Sequence, residues 1–255
     1  MAAAIGARGD ALVAWDARGV PRARFKPRSR AGFRATDTIR SKPAFFADMA
    51  PVVTPSGRAV LAWSAQFASE GGDRGPVYVQ AAIRPDGSRR FRRAQELTVI
   101  PAGIYDGLGR VVDAVIDSTG HVVVAFNGGE TTRRIPPMPH DKPVLLVRDA
   151  GGRGGLVGIG QASAEGEVAV LSDLAAGPRG RLVVVWDGGV DDPQSVVRAA
   201  VADGPGAAFG PPEDVSPAGR EARFGHAAFL GERPVVVLAG RAAGGGGPVA
   251  QAYVR

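Results

Sequence analysis

Three polar residues occupy one place in a recurring pattern: Asp16, Asn127 and Asp187 each directly follow the aromatic residue that closes an apolar run. Carboxylates and amides at equivalent strand ends could hold a sugar hydroxyl or a cation. As a pair they could supply the acid and the base or nucleophile of glycoside cleavage. Asp and Asn also end strands because their side chains favour turns, and that structural reading stands beside the chemical one. Further candidates fall in segments read as long loops: Glu130, Arg133, Arg134 and His140 after the third aromatic, Asp191 and Asp192 after the fourth, and Arg241 in the fifth unit. Tyr105 and Asp106 come from the connection before the third unit. The run Asp187-Gly-Gly-Val-Asp-Asp192 gathers three carboxylates but lacks the ordered alternation of a calcium loop.

No catalytic set emerges. The chain has no cysteine, which removes disulfides, thiolate metal sites and cysteine nucleophiles. His121 opens a predicted strand and His226 falls in a predicted inner strand, and neither has a His, Asp or Glu at metal-ligand spacing. No serine sits in a nucleophile elbow. The run Gly151 to Gly155 reads as a turn, without the strand, loop and helix that a phosphate site needs. No cofactor or metal is expected.

The elements that must position these residues repeat. A glycine lies six residues before an aromatic in Gly9 to Trp15, Gly57 to Trp63, Gly120 to Phe126 and Gly180 to Trp186, each enclosing an apolar run. Glu232 to Leu238 is a fifth, degenerate copy. Each unit has an apolar segment upstream, a third strand downstream such as Val77 to Ile83 or Val196 to Val201, and a turn leading to Phe33, Phe91, Leu156 or Phe209 and a short fourth strand. Strands A, B, C and D are thus expected in each unit, with D missing from the last. The turn glycines 57, 120 and 180 are read as supplying backbone freedom, and the recurring aromatics as packing between units.

Runs such as Val122 to Phe126 indicate strands covered on both faces. A four-stranded sheet with two apolar faces buries itself by stacking against copies around an axis, so the expected fold is an all-β propeller of about five blades. Part of a six-bladed propeller is the alternative, and a β-sandwich the less favoured one. One domain is expected over 1–255, with blades at 1–39, 47–98, 110–163, 168–216 and 222–255. The longest loops join B to C, at Ser64 to Pro76, Asn127 to Lys142, Asp187 to Ser195 and Ala239 to Pro248. They share a rim with the D to A connections, and the candidates lie there.

The charge of +6 and a sequence pI near 10.4 raise nucleic acid as a partner. Lysine occurs only at 26, 42 and 142, so 28 of 31 basic residues are arginine, a ratio that with abundant Ala, Gly and Pro reads as coding bias. The basic stretch from Arg22 to Arg34 reads as a solvated outer strand pair, and nucleic acid is not expected. No apolar run approaches the ~18 residues of a membrane helix, and no signal peptide opens the chain. The literal compartment is cytoplasmic, or extracellular if the N-terminus is truncated. A monomer is expected.

The signature Gly57-Arg-Ala-Val-Leu-Ala-Trp63 and the turn Pro85-Asp-Gly-Ser-Arg-Arg-Phe91 resemble the bacterial sialidase-like, neuraminidase-repeat propellers over nearly the whole chain. Those families commonly carry a Ser-x-Asp-x-Gly-x-x-Trp box. Here Pro55-Ser-Gly57 and Asp117-Ser-Thr-Gly120 occupy a comparable turn without that pattern. The arginine triad, tyrosine nucleophile and acid of a sialidase find no counterparts, so the resemblance implies a fold and no catalytic residue. The favoured function is a non-catalytic module binding a protein or glycan on the long-loop rim. The alternatives are a divergent glycoside hydrolase or lyase, and an inactive fragment of a larger propeller.

Overall fold

The computed structural model describes residues 1–41, 45–68, 74–100, 111–128, 143–151, 154–188, 196–216, 222–241 and 248–254. Apart from one 3-10 turn at Pro178–Gly180, its regular elements are strands. Five antiparallel sheets follow one another along the chain. Blade 1 holds β1 (Ala2–Ile5), β2 (Ala11–Asp16), β3 (Pro21–Lys26) and β4 (Asp37–Thr38). Blade 2 holds β5 (Phe45–Val53), β6 (Ala59–Ala68), β7 (Arg74–Arg84) and β8 (Gln95–Ile100), and blade 3 holds β9 (Val112–Ile116), β10 (Val122–Asn127), β11 (Val144–Asp149) and β12 (Leu156–Gln161). Blade 4 holds β13 (Ala169–Ala176), β14 (Leu182–Gly188), β15 (Val196–Ala202) and β16 (Glu213–Asp214). Blade 5 has three described strands, β17 (Ala222–Leu230), β18 (Arg233–Arg241) and β19 (Pro248–Val254).

Each sheet is a meander, and its first strand lies beside the first strand of the next: β1 by β5, β5 by β9, β9 by β13 and β13 by β17. The alternation of side chains along the second strand sends one set to the preceding blade and the other to the following blade. Trp63 packs with Leu12, Ala14 and Phe25 of blade 1. Phe126 packs with Val60 and Ala62 of blade 2, Trp186 with Val123 and Ala125 of blade 3, and Leu238 with Val183 and Val185 of blade 4. Trp63 and Trp186 are fully buried. The run of β-branched residues in β10 and β14 is the consequence, since both faces of a middle blade are core.

Trp15 departs from the expected packing. It occupies the register of Trp63 but is half-buried, because it faces the side opposite blade 2 and lines a shallow apolar hollow with Met1, Val13 and Phe33. Phe33 is 44% exposed for the same reason, whereas Phe91 and Phe209 pack against the core and Leu156 is buried. The turn glycines behave as expected: Gly57, Gly120 and Gly180 have φ of 88°, 83° and 75°, a left-handed backbone that glycine adopts without cost. Two expected B to C loops are shorter than the sequence suggested. β6 and β7 extend as a twisted ribbon to the pair Ala68 and Arg74, so Ser64 to Gln66 and Gly75 to Pro76 are strand; β18 likewise runs to Arg241.

Candidate functional site

In a meander, consecutive connections alternate between sheet ends. The B to C and D to A connections therefore share one rim, the loop rim, and the A to B and C to D connections share the other, the turn rim. The three strand-end residues read from the sequence all reach the loop rim, and each is engaged there. Asp16 is exposed, and its Oδ1 accepts the Gly19 N–H at 2.8 Å, fixing the tight β2–β3 turn in which Arg18 and Gly19 both have positive φ. Asn127 is buried and ties blade 3 to blade 4: its Nδ2 donates to the Ala169 carbonyl at 2.8 Å, and its Oδ1 accepts the Leu171 N–H at 3.0 Å. Asp187 is buried and accepts the Ser172 hydroxyl at 3.2 Å. Arg241 ends β18, its backbone opposite Pro248. Tyr105, Asp106, Glu130, Arg133, Arg134, His140, Asp191 and Asp192 lie outside the described residues.

The structure adds a set that sequence reading missed. Asp48, Asp113 and Asp173 stand on the inner strands β5, β9 and β13, and each reaches across to the next blade. Val111 donates its N–H to Asp48 Oδ2 at 2.7 Å, Leu174 to Asp113 Oδ2 at 3.1 Å, and Ala227 to Asp173 Oδ2 at 2.9 Å. The same Asp173 Oδ2 lies 3.4 Å from His226 Nδ1 on β17. The imidazole is 70% exposed and the carboxylate 16%, so an acid–base pair spans two blades with its histidine open to solvent. A faint signal existed, an aspartate within each otherwise apolar first-strand segment. Its partner is a backbone N–H 54 to 63 residues away, which spacing alone cannot reveal.

Glu167, in the connection from blade 3 to blade 4, organises the neighbouring rim. Its Oε1 accepts the Trp186 indole N–H at 2.8 Å and Arg198 Nη1 at 2.9 Å, and its Oε2 accepts the Ala164 N–H at 3.0 Å. Burial lowers the affinity of Arg198 for its proton, but the hydrogen bond that it donates to Asp214 and the charge of Glu167 outweigh it and hold the guanidinium above its ordinary value. Among the described residues no group of three His, Cys, Asp or Glu side chains is arranged to hold a metal ion.

Blades joined through their inner strands, with four successive apolar interfaces, decide the architecture. The chain is a β-propeller. No protein-family model and no curated protein matches its sequence. Solved structures match over nearly the whole chain at low identity. The α-L-arabinofuranosidase Arb93A of Fusarium graminearum superposes with a TM-score of 0.54 at 9% identity over 97% of this propeller and 79% of that chain. A polysaccharide lyase, an ulvan lyase bound to a GlcA(1-4)Rha3S unit, gives 0.54 at 12% identity over 99% of this propeller and 63% of that chain. The Hadza microbial sialidase Hz136 gives 0.50 at 13% identity, with 93% and 53% covered. The propeller thus spans about half to four-fifths of these chains, and at such identities the likeness is one of fold.

Proposed function

We propose that this propeller is a glycan-binding module without catalytic activity, whose ligand is received at the loop rim beside the inner strands of blades 4 and 5. The carrying observation is the use already made of the polar residues there. Asp48, Asp113 and Asp173 hold backbone N–H groups of the next blade, Asn127 joins blades 3 and 4, and Asp16 holds a turn. Carboxylates so engaged make a rigid mouth, and recognition falls to exposed groups such as His226, with His140, Asp191 and Asp192 kept as candidates from the sequence alone. Glycan-active propellers among the structural neighbours support this class of ligand over a protein partner. The second reading, a divergent glycoside hydrolase or lyase, draws on the Asp173–His226 pair at 3.4 Å, an arrangement capable of general acid–base catalysis.

One experiment addresses both. Calorimetric titration of arabinan, sialoside and uronate-containing oligosaccharides is expected to show binding that His226→Ala and the double change Asp191→Ala/Asp192→Ala each weaken at least fivefold. Reducing-end and unsaturated-uronate assays on the same mixtures are expected to stay at background. Turnover lost in His226→Ala would establish the enzymatic reading instead.

A further inference from the structure

Blades 1 and 2 meet on the turn rim along a seam made by their C to D connections, residues 27–36 and 85–94. A groove of about 360 Å³ opens there, and a second of about 350 Å³ adjoins it, lined by the connection from blade 1 to blade 2 and by β7, β8 and the residues before β8. The first is walled by Arg30 and Arg34 from one connection and Arg89 and Arg90 from the other, with Asp37 at its base. Asp37 is already engaged, its Oδ2 accepting the Phe91 N–H at 2.6 Å, a bond that locks the second connection against blade 1. Arg34 is the innermost cation: its Nε and Nη1 are shielded from water and have no hydrogen-bond partner among the described residues. The second groove lies past the Ala94 N–H to Arg40 carbonyl contact and carries Arg40, Arg93, Ser41, Gln80 and Glu96. Gln80 is 4% exposed, and its Oε1 and the Ser41 hydroxyl are likewise buried without partners.

Buried polar atoms without partners are uncommon in folded proteins, and three residues bearing them on two adjoining grooves call for a ligand of matching chemistry. The unfilled donors of Arg34, among four guanidiniums, ask for an oxyanion, which arginine clasps in a planar, two-pronged geometry. The unfilled acceptor of Gln80 and the Ser41 hydroxyl ask for hydroxyl groups. Among the described residues neither groove presents an aromatic side chain on which a base could stack. Arg84 lies close to Arg34: burial first, and then the Arg34 charge, lower its proton affinity against the opposing charges of Asp86, Asp10 and Asp37, and its Nη1 donates to the Gly57 carbonyl at 3.0 Å.

We infer that this seam is a second binding site, for an acidic polysaccharide whose sulfate or carboxylate group sits among Arg30, Arg34, Arg89 and Arg90 while the adjoining sugar's hydroxyls meet Gln80 and Ser41. Its arginine groove lies on the rim opposite the mouth, and the site does not depend on what the mouth binds. Short dextran sulfate, polygalacturonate, uncharged dextran and a thymidine oligonucleotide of equal charge are the probes, read by fluorescence anisotropy at two salt concentrations. Dextran sulfate or polygalacturonate is expected to bind, dextran not; which of the two binds tighter identifies the anion. Arg34→Gln/Arg89→Gln is expected to weaken binding at least tenfold and to flatten its salt dependence. Gln80→Leu should weaken it three- to tenfold, and Arg89→Glu, at an exposed position, keeps the test open should Gln80→Leu misfold. His226→Ala should leave this binding unchanged, which separates failure here from failure at the mouth. Binding indifferent to all three seam variants, or an oligonucleotide held as tightly through the same arginines, overturns the inference.

Discussion

Trp63 and Trp15 are the same residue at the same register of the same repeat, and the protein uses them differently. Trp63 is fully enclosed between blades 1 and 2, whereas Trp15 is half-buried on the other side of blade 1. The far end of the series mirrors this. Val236 and Leu238 of β18 are buried against blade 4, while Val237, pointing the opposite way, is 44% exposed. The two outermost faces therefore do not bury each other as neighbouring faces do. A repeat fixes what a residue offers, and only the neighbouring blade fixes what that residue contributes. The stability of this propeller resides in four interior interfaces, with the end faces contributing less.

The largest effect that tests the contrast is expected at an interior face. Trp63→Ala removes a fully buried indole and leaves a cavity that flanking sheets cannot close, at a cost of about 3–5 kcal/mol. Urea denaturation followed by fluorescence should show the midpoint falling with little change in slope. A cost below about 1 kcal/mol would mean that interior and end faces are equivalent after all.

Next in size is the polar tie between interior blades. Asn127→Ala strands the Leu171 N–H and the Ala169 carbonyl in a buried place, which costs about 1–3 kcal/mol. Asn127→Asp tests the same tie differently, keeping the acceptor for Leu171 while losing the donor to Ala169. Hydrogen exchange at Leu171 is the direct readout: it should accelerate in Asn127→Ala and stay protected in Asn127→Asp. Acceleration in both would place the tie in the Ala169 bond alone.

These ties also show what the sequence could and could not reveal. The repeat was legible because a glycine with positive φ, a β-branched run and an aromatic recur at fixed spacing, and each has a local physical cause. The three described strands of the last unit follow the order that the repeat predicts for A, B and C. Asp16, Asn127 and Asp187 were correctly placed at strand ends, but their partners are set by register and by the neighbouring blade. Asn127 meets residues 42 and 44 positions away, so its scaffold role could not be read from its neighbours in sequence. The inner-strand carboxylates and the seam of arginines were hidden for the same reason. Arg34 lies among basic residues that read as a solvated face, and the approach of a second loop from blade 2 leaves its Nε and Nη1 shielded from water and without a partner among the described residues.

The smallest expected effect is the sharpest test of the opening contrast. Trp15→Ala should cost about 1 kcal/mol or less, since much of the indole meets solvent in the folded state already and no interface collapses when it is removed. Measured beside Trp63→Ala in the same background, the two values isolate the neighbouring blade's contribution, because residue type, register and strand are matched. Should Trp15→Ala instead cost as much as Trp63→Ala, the hollow formed by Met1, Val13, Trp15 and Phe33 is covered in solution. Sedimentation equilibrium then discriminates: a mass that falls with dilution assigns the cover to a second copy, whereas a constant monomer mass assigns it to the chain itself.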